Sequence, residues 1–411
     1  MKILIVTQYF WPETFRINDL AQGLIERGHR VTVLTGLPNY PGGKFFEGYG
    51  YRGPYRQDYG GVDVIRVPLI PRGNGGGFQL ALNYFAFAVS GAVLAPLRCR
   101  GSFDAILVYE PSPITVGVPA IVLRALKRVP LLFWVQDLWP ESLSATGAVK
   151  SQWVMRLVAT LVRFLYRRSD RILIQSRAFS GPIEALGADA SCIRYFPNSA
   201  EEIYQPGKLK AGLEPGLPPG FRVMFAGNIG AAQDFETILA AATLLKQESE
   251  IHWLVLGDGR QRAWVAREIE ARGLQATFHL LGHYPPEAMP RFFARADAML
   301  VTLRKEPIFA LTLPSKVQSY LACAKPIIAA MDGEGARVVT EAGAGLAVPA
   351  ENPVALADAV LRLARMGLDA RQAMGERGRA YFEQHFEREM LLTRLEGWMN
   401  ELKLSAGQCA S

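Results

Sequence analysis

The chain is poor in the residues that mark metal, redox and secreted proteins. Its four cysteines (Cys99, Cys192, Cys323, Cys409) stand far apart and form no C-x-x-C pair. That excludes a zinc ribbon or a disulfide framework and reads as reduced thiols in a cytosolic protein. Cys409, near the end, does not fit a prenylation box. The five histidines are dispersed, and neither H-E-x-x-H nor D-x-D occurs, so no metal and no other cofactor is expected. His279 and His283 are four apart, but across a strand end and Gly282, where that spacing does not align ligands. There is no G-x-S-x-G elbow, and the glycine loop at 227–234 is neither a Walker loop nor G-x-G-x-x-G. Lysine and arginine are scattered without an arginine-rich arm, so no nucleic acid partner is expected. No signal peptide is read at the start, where Lys2 precedes a short apolar run that looks like a first strand.

What is present is a large, well-packed α/β chain. The 411 residues are half hydrophobic and one-fifth charged, enough for two full cores. The net charge of +7 favours anionic partners. Short apolar runs alternate with helical patterns at 3–7, 31–35, 62–67, 105–109, 131–135 and 171–175. They continue at 222–226, 251–256, 277–281, 298–302, 327–330 and 345–348. Near-continuous apolar strands are covered on both faces, which predicts two doubly wound, Rossmann-like parallel sheets. A stretch rich in Pro and Gly over 197–220 has linker composition. The expected domains are 1–200, 201–375 and a helical tail, 376–411, that caps the second domain or crosses back to the first. Ligands of such sheets bind beyond the carboxyl ends of the strands, so a cleft between the domains is the expected site.

The loops after strands carry the candidates. After the first strand come Trp11 and Arg16, suited to contacting a substrate across the cleft, or equally a capped loop. After the 131–135 strand, Asp137 and Glu141 lie four apart, either to bind sugar hydroxyls, to serve as a base, or to cap a helix. Gly227, Asn228, Gly230 and Gln233 follow the first strand of the second half, where glycines permit close approach to a phosphate. Gly257 and Asp258 close the next strand; His283 and Tyr284 follow the one after. The segment 312–329 places Leu313, then Pro314 at a first helical position, then Ser315 and Lys316 in a first turn. A cation is disfavoured at a helix N-terminus. An anion held there by free N–H groups, Ser315 and Lys316 makes sense of it; the plainer reading is a solvated lysine.

Taken together, these pieces resemble the GT-B glycosyltransferases of family 4, the retaining group that uses nucleotide sugars. The resemblance rests on the Lys-Ile-Leu-Ile-Val start, Glu26-Arg27-Gly28-His29-Arg30-Val31, Phe196-Pro197-Asn198, Gly227-Asn228-Ile229-Gly230, and Pro314-Ser315-Lys316 with Lys325-Pro326. Leu37-Pro38-Asn39-Tyr40-Pro41-Gly42-Gly43-Lys44 and Gln136-Asp137-Leu138-Trp139-Pro140-Glu141 are similar to the WbuB-like branch, which builds O-antigen and exopolysaccharide units. The resemblance implies a metal-independent, retaining transfer from a UDP-linked sugar, such as N-acetylfucosamine, to a polyprenyl-diphosphate-linked saccharide. It implies Lys316, Asp137 and Glu141 as catalytic groups. The donor would meet the glycine loops, Asp258, His283, Tyr284, Glu306, Leu313, Pro314, Ser315 and Ser319. The acceptor would meet Trp11, Arg16, Asn39 and Tyr40.

This chain departs from the family pattern. The two family glutamates align with Leu311 and Ser319, with Glu306 nearby but out of register. The family Arg and Lys pair aligns with Asn228 and Gln233, and the catalytic-loop histidine with Gln136. A GT-B epimerase, a transferase to a soluble acceptor and a non-catalytic scaffold are the rival readings. A lipid-linked acceptor implies a cytoplasmic protein resting on the inner face of the membrane. Segments 78–97 and 153–168 are suited to an anionic surface, or to packing on the first sheet. The first is long enough to span a bilayer, but Pro96 and its small residues favour a buried or membrane-resting helix.

Overall fold

The computed structural model describes residues 1–145, 151–206 and 216–408. The chain divides into two compact units, Met1–Pro197 with Glu389–Ser411, and Asn198–Arg388. Part of the expected linker (207–215) and Cys409 lie outside the described residues. The helix Leu368–His385 stays with the second unit, and only the last helix, Arg388–Gln408, joins the first. The divisions thus fall at 197/198 and 388/389, not at 200 and 375.

The first unit holds β1 (Lys2–Val6), β2 (Arg30–Gly36), β3 (Arg56–Tyr59), β4 (Val62–Val67), β5 (Ala105–Glu110), β6 (Leu131–Val135), β7 (Arg171–Ile174) and β8 (Ile193–Tyr195). Their order is β3-β4-β2-β1-β5-β6-β7-β8, parallel except for β3 against β4. β1 is central, with Ile5 beside Val33 of β2 and Leu107 of β5. Ile3, Leu4, Ile5 and Val6 are all fully buried, which only a sheet covered on both faces produces. One face is packed by Ile17, Leu20 and Leu24 of the helix Arg16–Glu26, joined by Leu391, Leu392, Leu395 and Met399 of the last helix. Arg27 fastens that helix by bonds to Glu389 and Glu396.

Two strands were not expected from the sequence. β3 reads Arg-Gln-Asp-Tyr, too polar for an apolar run, yet it pairs with β4 as a hairpin across Gly60-Gly61. Both glycines have positive φ, the geometry a two-residue hairpin turn requires. β8 has only three residues.

The second unit holds β9 (Phe221–Ala226), β10 (Ile251–Leu256), β11 (Phe278–Gly282), β12 (Ala298–Thr302), β13 (Ile327–Ala330) and β14 (Gly345–Val348). The order β11-β10-β9-β12-β13-β14 is parallel throughout. The order in which strands are added reverses between β9 and β12, so the loop after β9 opens at the point where such sheets bind ligands. In the first unit the same reversal lies between β1 and β5.

Candidate active site

In the second unit, three loops and one helix converge beyond β9, β10 and β11. Gly227 follows β9 with φ +137° and Gly257 follows β10 with φ +141°. A Cβ on Gly257 would stand 1.9 Å from the carbonyl oxygen of Gly227. A Cβ on Gly227 would stand 2.7 Å from Nζ of Lys316. Both positions therefore need glycine for conformation and for space. The loops are laced by backbone bonds: Gly227 N–H to Leu256 O, Ile229 N–H to Asp258 O, and Gly257 N–H to Gly282 O, each 2.8 Å. Gly259 lies against Asn228, and Gly230 lies against both Asn228 and Gln233. Gln233 Oε1 is buried with no hydrogen-bond partner among the described residues.

Lys316 sits at the second residue of the helix Ser315–Ala322. Pro314 is the residue preceding that helix, with φ −65° and ψ 131°, so it caps the helix and does not begin it as expected. The Lys316 ammonium rests 3.8 Å from the centre of the Phe225 ring, a cation–π contact. Burial pulls its pKa down to about 7. Among the described residues no carboxylate or other hydrogen-bond acceptor neutralises it. An unneutralised cation, free helical N–H groups and side-chain-free backbone are the features that an anion site requires.

Other expected contacts are placed less favourably. Ser315 is exposed at the first helical position, Leu313 is buried, and the Ser319 hydroxyl donates to Ser315 O at 3.3 Å within its own helix. Asp258 is exposed and caps Gly259 N–H at 2.7 Å. His283 and Tyr284 are exposed, the latter with its ring on Phe292. Glu306 is an exposed residue just before the helix Pro307–Leu311. The sequence reading missed Phe225, because an aromatic in a central strand reads as core. It also missed Gln318, whose Nε2 donates to Asn198 O at 2.7 Å while Oε1 is buried without a partner among the described residues. Nor did it anticipate Gly335, whose missing Cβ would stand 3.2 Å from the Pro314 ring.

In the first unit, Asp137 hydrogen-bonds the Ser142 hydroxyl, which also reaches Leu138 O at 2.7 Å. Asp137 therefore braces the turn into the helix Glu141–Ala145. Burial raises its pKa. Glu141 Oε2 is buried without a partner among the described residues. Glu110, at the end of β5, was not singled out from sequence. It is fully buried, and burial, then the charge of Asp137, push its pKa well above the usual carboxylate range.

Glu110 yields a test. Its folded pKa exceeds the unfolded value, so the folded state keeps a proton that the unfolded chain releases, and stability falls as pH rises above about 4.3. Glu110→Gln cannot ionise. Its stability relative to the parent should therefore climb as pH rises above about 5. Denaturant unfolding across that range measures this, and an unchanged difference would refute it.

Of the expected acceptor contacts, Arg16 begins its helix half-buried, and Trp11 stacks on Tyr59 with ring centres 5.1 Å apart. Asn39 is fully buried, its amide donating to Leu37 O and accepting from Arg72 N–H. That makes it an internal brace and not the acceptor contact expected. Tyr40 is exposed and packs with Tyr9 and Phe15. Arg72, unread in the sequence, lies over the Tyr9 and Tyr40 rings and donates to the Tyr9 hydroxyl at 2.7 Å. Glu13 accepts N–H bonds from Asn39 and Tyr40 at 2.8 and 2.7 Å, and burial raises its pKa to about 7. Cys99 and Cys323 are buried and Cys192 is half-buried, all as free thiols. Among the described residues no three His, Cys, Asp or Glu side chains group to hold a metal ion.

Comparison with known proteins follows this division of the chain. Residues 14–199 match the family described as Glycosyl transferase 4-like domain, and residues 220–366 match Glycosyl transferases group 1. WbjE of Pseudomonas aeruginosa, named as a probable glycosyltransferase, is 29% identical over 65% of this chain and 67% of its own. WcaI of Escherichia coli K12, named as a colanic acid biosynthesis glycosyl transferase, is 26% identical over 78% of this chain and 81% of its own. Anabaena HepE, solved in complex with UDP, superposes over 98% of this chain and 100% of its own, with a TM-score of 0.70 at 14% identity. The chain belongs to the glycosyltransferases of GT-B fold, with a family-4-like first domain and a group 1 second domain.

Proposed function

We propose that this protein is a retaining, metal-independent transferase of bacterial surface polysaccharide synthesis. It would move an N-acetylated amino sugar such as N-acetylfucosamine from UDP to a polyprenyl-diphosphate-linked saccharide. The observation that carries the reading is the Lys316 ammonium, desolvated and without a neutralising partner among the described residues, beside the glycine-opened Gly227 loop. The UDP complex of HepE supports a uridine diphosphate as the anion. The name of WcaI supports a place in polysaccharide assembly.

In the proposed reaction the bond from the anomeric carbon to the diphosphate oxygen breaks as an acceptor hydroxyl bonds to the same face of that carbon. The departing UDP helps take the hydroxyl proton. Lys316 and the backbone N–H groups stabilise charge as it gathers on the diphosphate, where preorganised donors are worth most. The rest of the work is positioning, with Asp137 and Glu141 as candidate partners of sugar hydroxyls.

The test incubates purified protein with a panel of nucleotide sugars, with and without a polyprenyl-diphosphate-linked acceptor. UDP release that depends on the acceptor, with the anomeric configuration kept by NMR, supports the proposal. An altered sugar without acceptor would show an epimerase, and release of nothing a scaffold.

Lys316 also makes UDP binding pH-dependent. A bound anion favours the charged amine, which the free protein loses near pH 7. The dissociation constant for UDP should therefore rise from about pH 7 to pH 9, by up to roughly tenfold per unit. Titration calorimetry reads this, and Lys316→Met should bind weakly at every pH without the slope.

A further inference from the structure

The face of the first sheet opposite the last helix is layered by Gly77–Arg98, Gly117–Lys127 and Gln152–Arg167. A Cβ on Gly91 would stand 3.0 Å from Pro119, and one on Gly117 would stand 2.7 Å from Phe133 and 3.0 Å from Leu165. Small residues thus bring the helices into close contact. Phe133 points opposite to Leu132 and Trp134, which belong to the other core.

The outer side of this layer is unlike an ordinary protein surface. Gly77–Arg98 is long and apolar enough to cross a membrane by length and composition, but Asn83, Phe87, Gly91 and Ala95 are buried against the unit. Its opposite side is a stripe of large apolar residues open to solvent: Phe78 (76% exposed), Phe85 (65%), Val89, Val93 and Leu97. On Gln152–Arg167 the exposed side interleaves Trp153, Leu157 and Phe164 with Arg156 and Arg167. No Asp or Glu occurs in any of the three helices, although the chain carries 38 of them. Arg156, Arg163, Arg167 and Arg168 have no carboxylate partner among the described residues.

We propose that this layer is a docking surface for an anionic lipid leaflet, lying in the plane of the membrane with its apolar stripe in the headgroup–acyl boundary. The arginines of Gln152–Arg167 and the following Arg168 meet the lipid phosphates. Charge selects this occupant over a second copy of the chain, because symmetric pairing would set arginines against arginines with no acid between them. The exposed apolar stripe selects lipid over an acidic protein, whose carboxylates it would leave unpaired.

The test uses the full chain and sedimented vesicles without donor or acceptor, so its outcome is independent of glycosyl transfer. Vesicles of equal parts phosphatidylcholine and phosphatidylglycerol should capture the protein at least about tenfold better than phosphatidylcholine alone, and less at high salt. Phe85→Asp with Val93→Asp should abolish capture. Arg156→Gln with Arg167→Gln and Arg168→Gln, all on exposed positions, should weaken it about tenfold and flatten the salt dependence. Circular dichroism checks that each variant is folded. Failure of the folded parent to bind either vesicle overturns the proposal. So does a concentration-dependent dimer, seen by ultracentrifugation, that the aspartate variant breaks without any vesicle binding by the parent.

Discussion

Lys316→Ala should lower turnover by at least about a hundredfold while leaving the protein folded. The magnitude is that of removing one charge-assisted donor from a developing anion, on the order of 2–4 kcal/mol. It falls on Lys316 because Asn228 and Gln233, the side chains nearest the same loops, are uncharged. The loss should appear in kcat as well as in UDP affinity, since charge on the diphosphate grows as the bond to the sugar breaks. Stability should move the other way. The Lys316 folded pKa is depressed below its unfolded value, so the unfolded chain holds a proton that the folded chain gives up between about pH 7 and pH 10. Folded stability therefore rises with pH across that window, and the cost of the charged amine is fullest below it. Lys316→Met, which keeps the volume, should be at least as stable as the parent near pH 6. A purified alanine variant of near-normal rate would remove Lys316 from the mechanism.

Gly257→Ala should be the most damaging single methyl in the second unit. Its φ of +141° is nearly closed to other residues, and the new Cβ would stand 1.9 Å from Gly227 O. Backbone strain and overpacking together cost on the order of 3 kcal/mol or more, seen as a fall of roughly 6–12 °C in the melting temperature. UDP binding should fail as well, because relief requires the Gly227 loop to move away from Lys316. Gly42→Ala is the control: nothing lies within 4 Å of its Cβ, and its melting temperature should hardly change. Equal effects at the two positions would show that close packing of the loops is not what Gly257 serves.

How much of this was legible in the sequence varies by residue. The parallel strands were, because runs such as Ile3 to Val6 are buried on both sides and must be apolar throughout. β3 was not, since an edge strand held by a hairpin turn needs no apolar run. Glycines after strands marked the loops that pack closely beside Lys316, and the lysine itself was visible in a first helical turn. Phe225 beneath that lysine was hidden by its double role in the core. Glu13 and Glu110 were hidden for another reason. Glu13 is satisfied by backbone N–H groups more than twenty positions away, and Glu110 is made unusual by burial that only the finished sheet provides. Asn39 shows the converse, a polar loop residue read as a contact that the fold consumes internally.

The return of the last helix has a consequence for synthesis. The first unit lacks Leu391, Leu392, Leu395 and Met399 until the whole second unit has been made, yet these residues complete its core. Domains ordinarily finish in the order they emerge from the ribosome. Here the unit made first closes only after the second is complete, so until then the nascent chain carries an apolar sheet face covered only in part, by the helix Arg16–Glu26. A nascent-chain chaperone would find that face open longest.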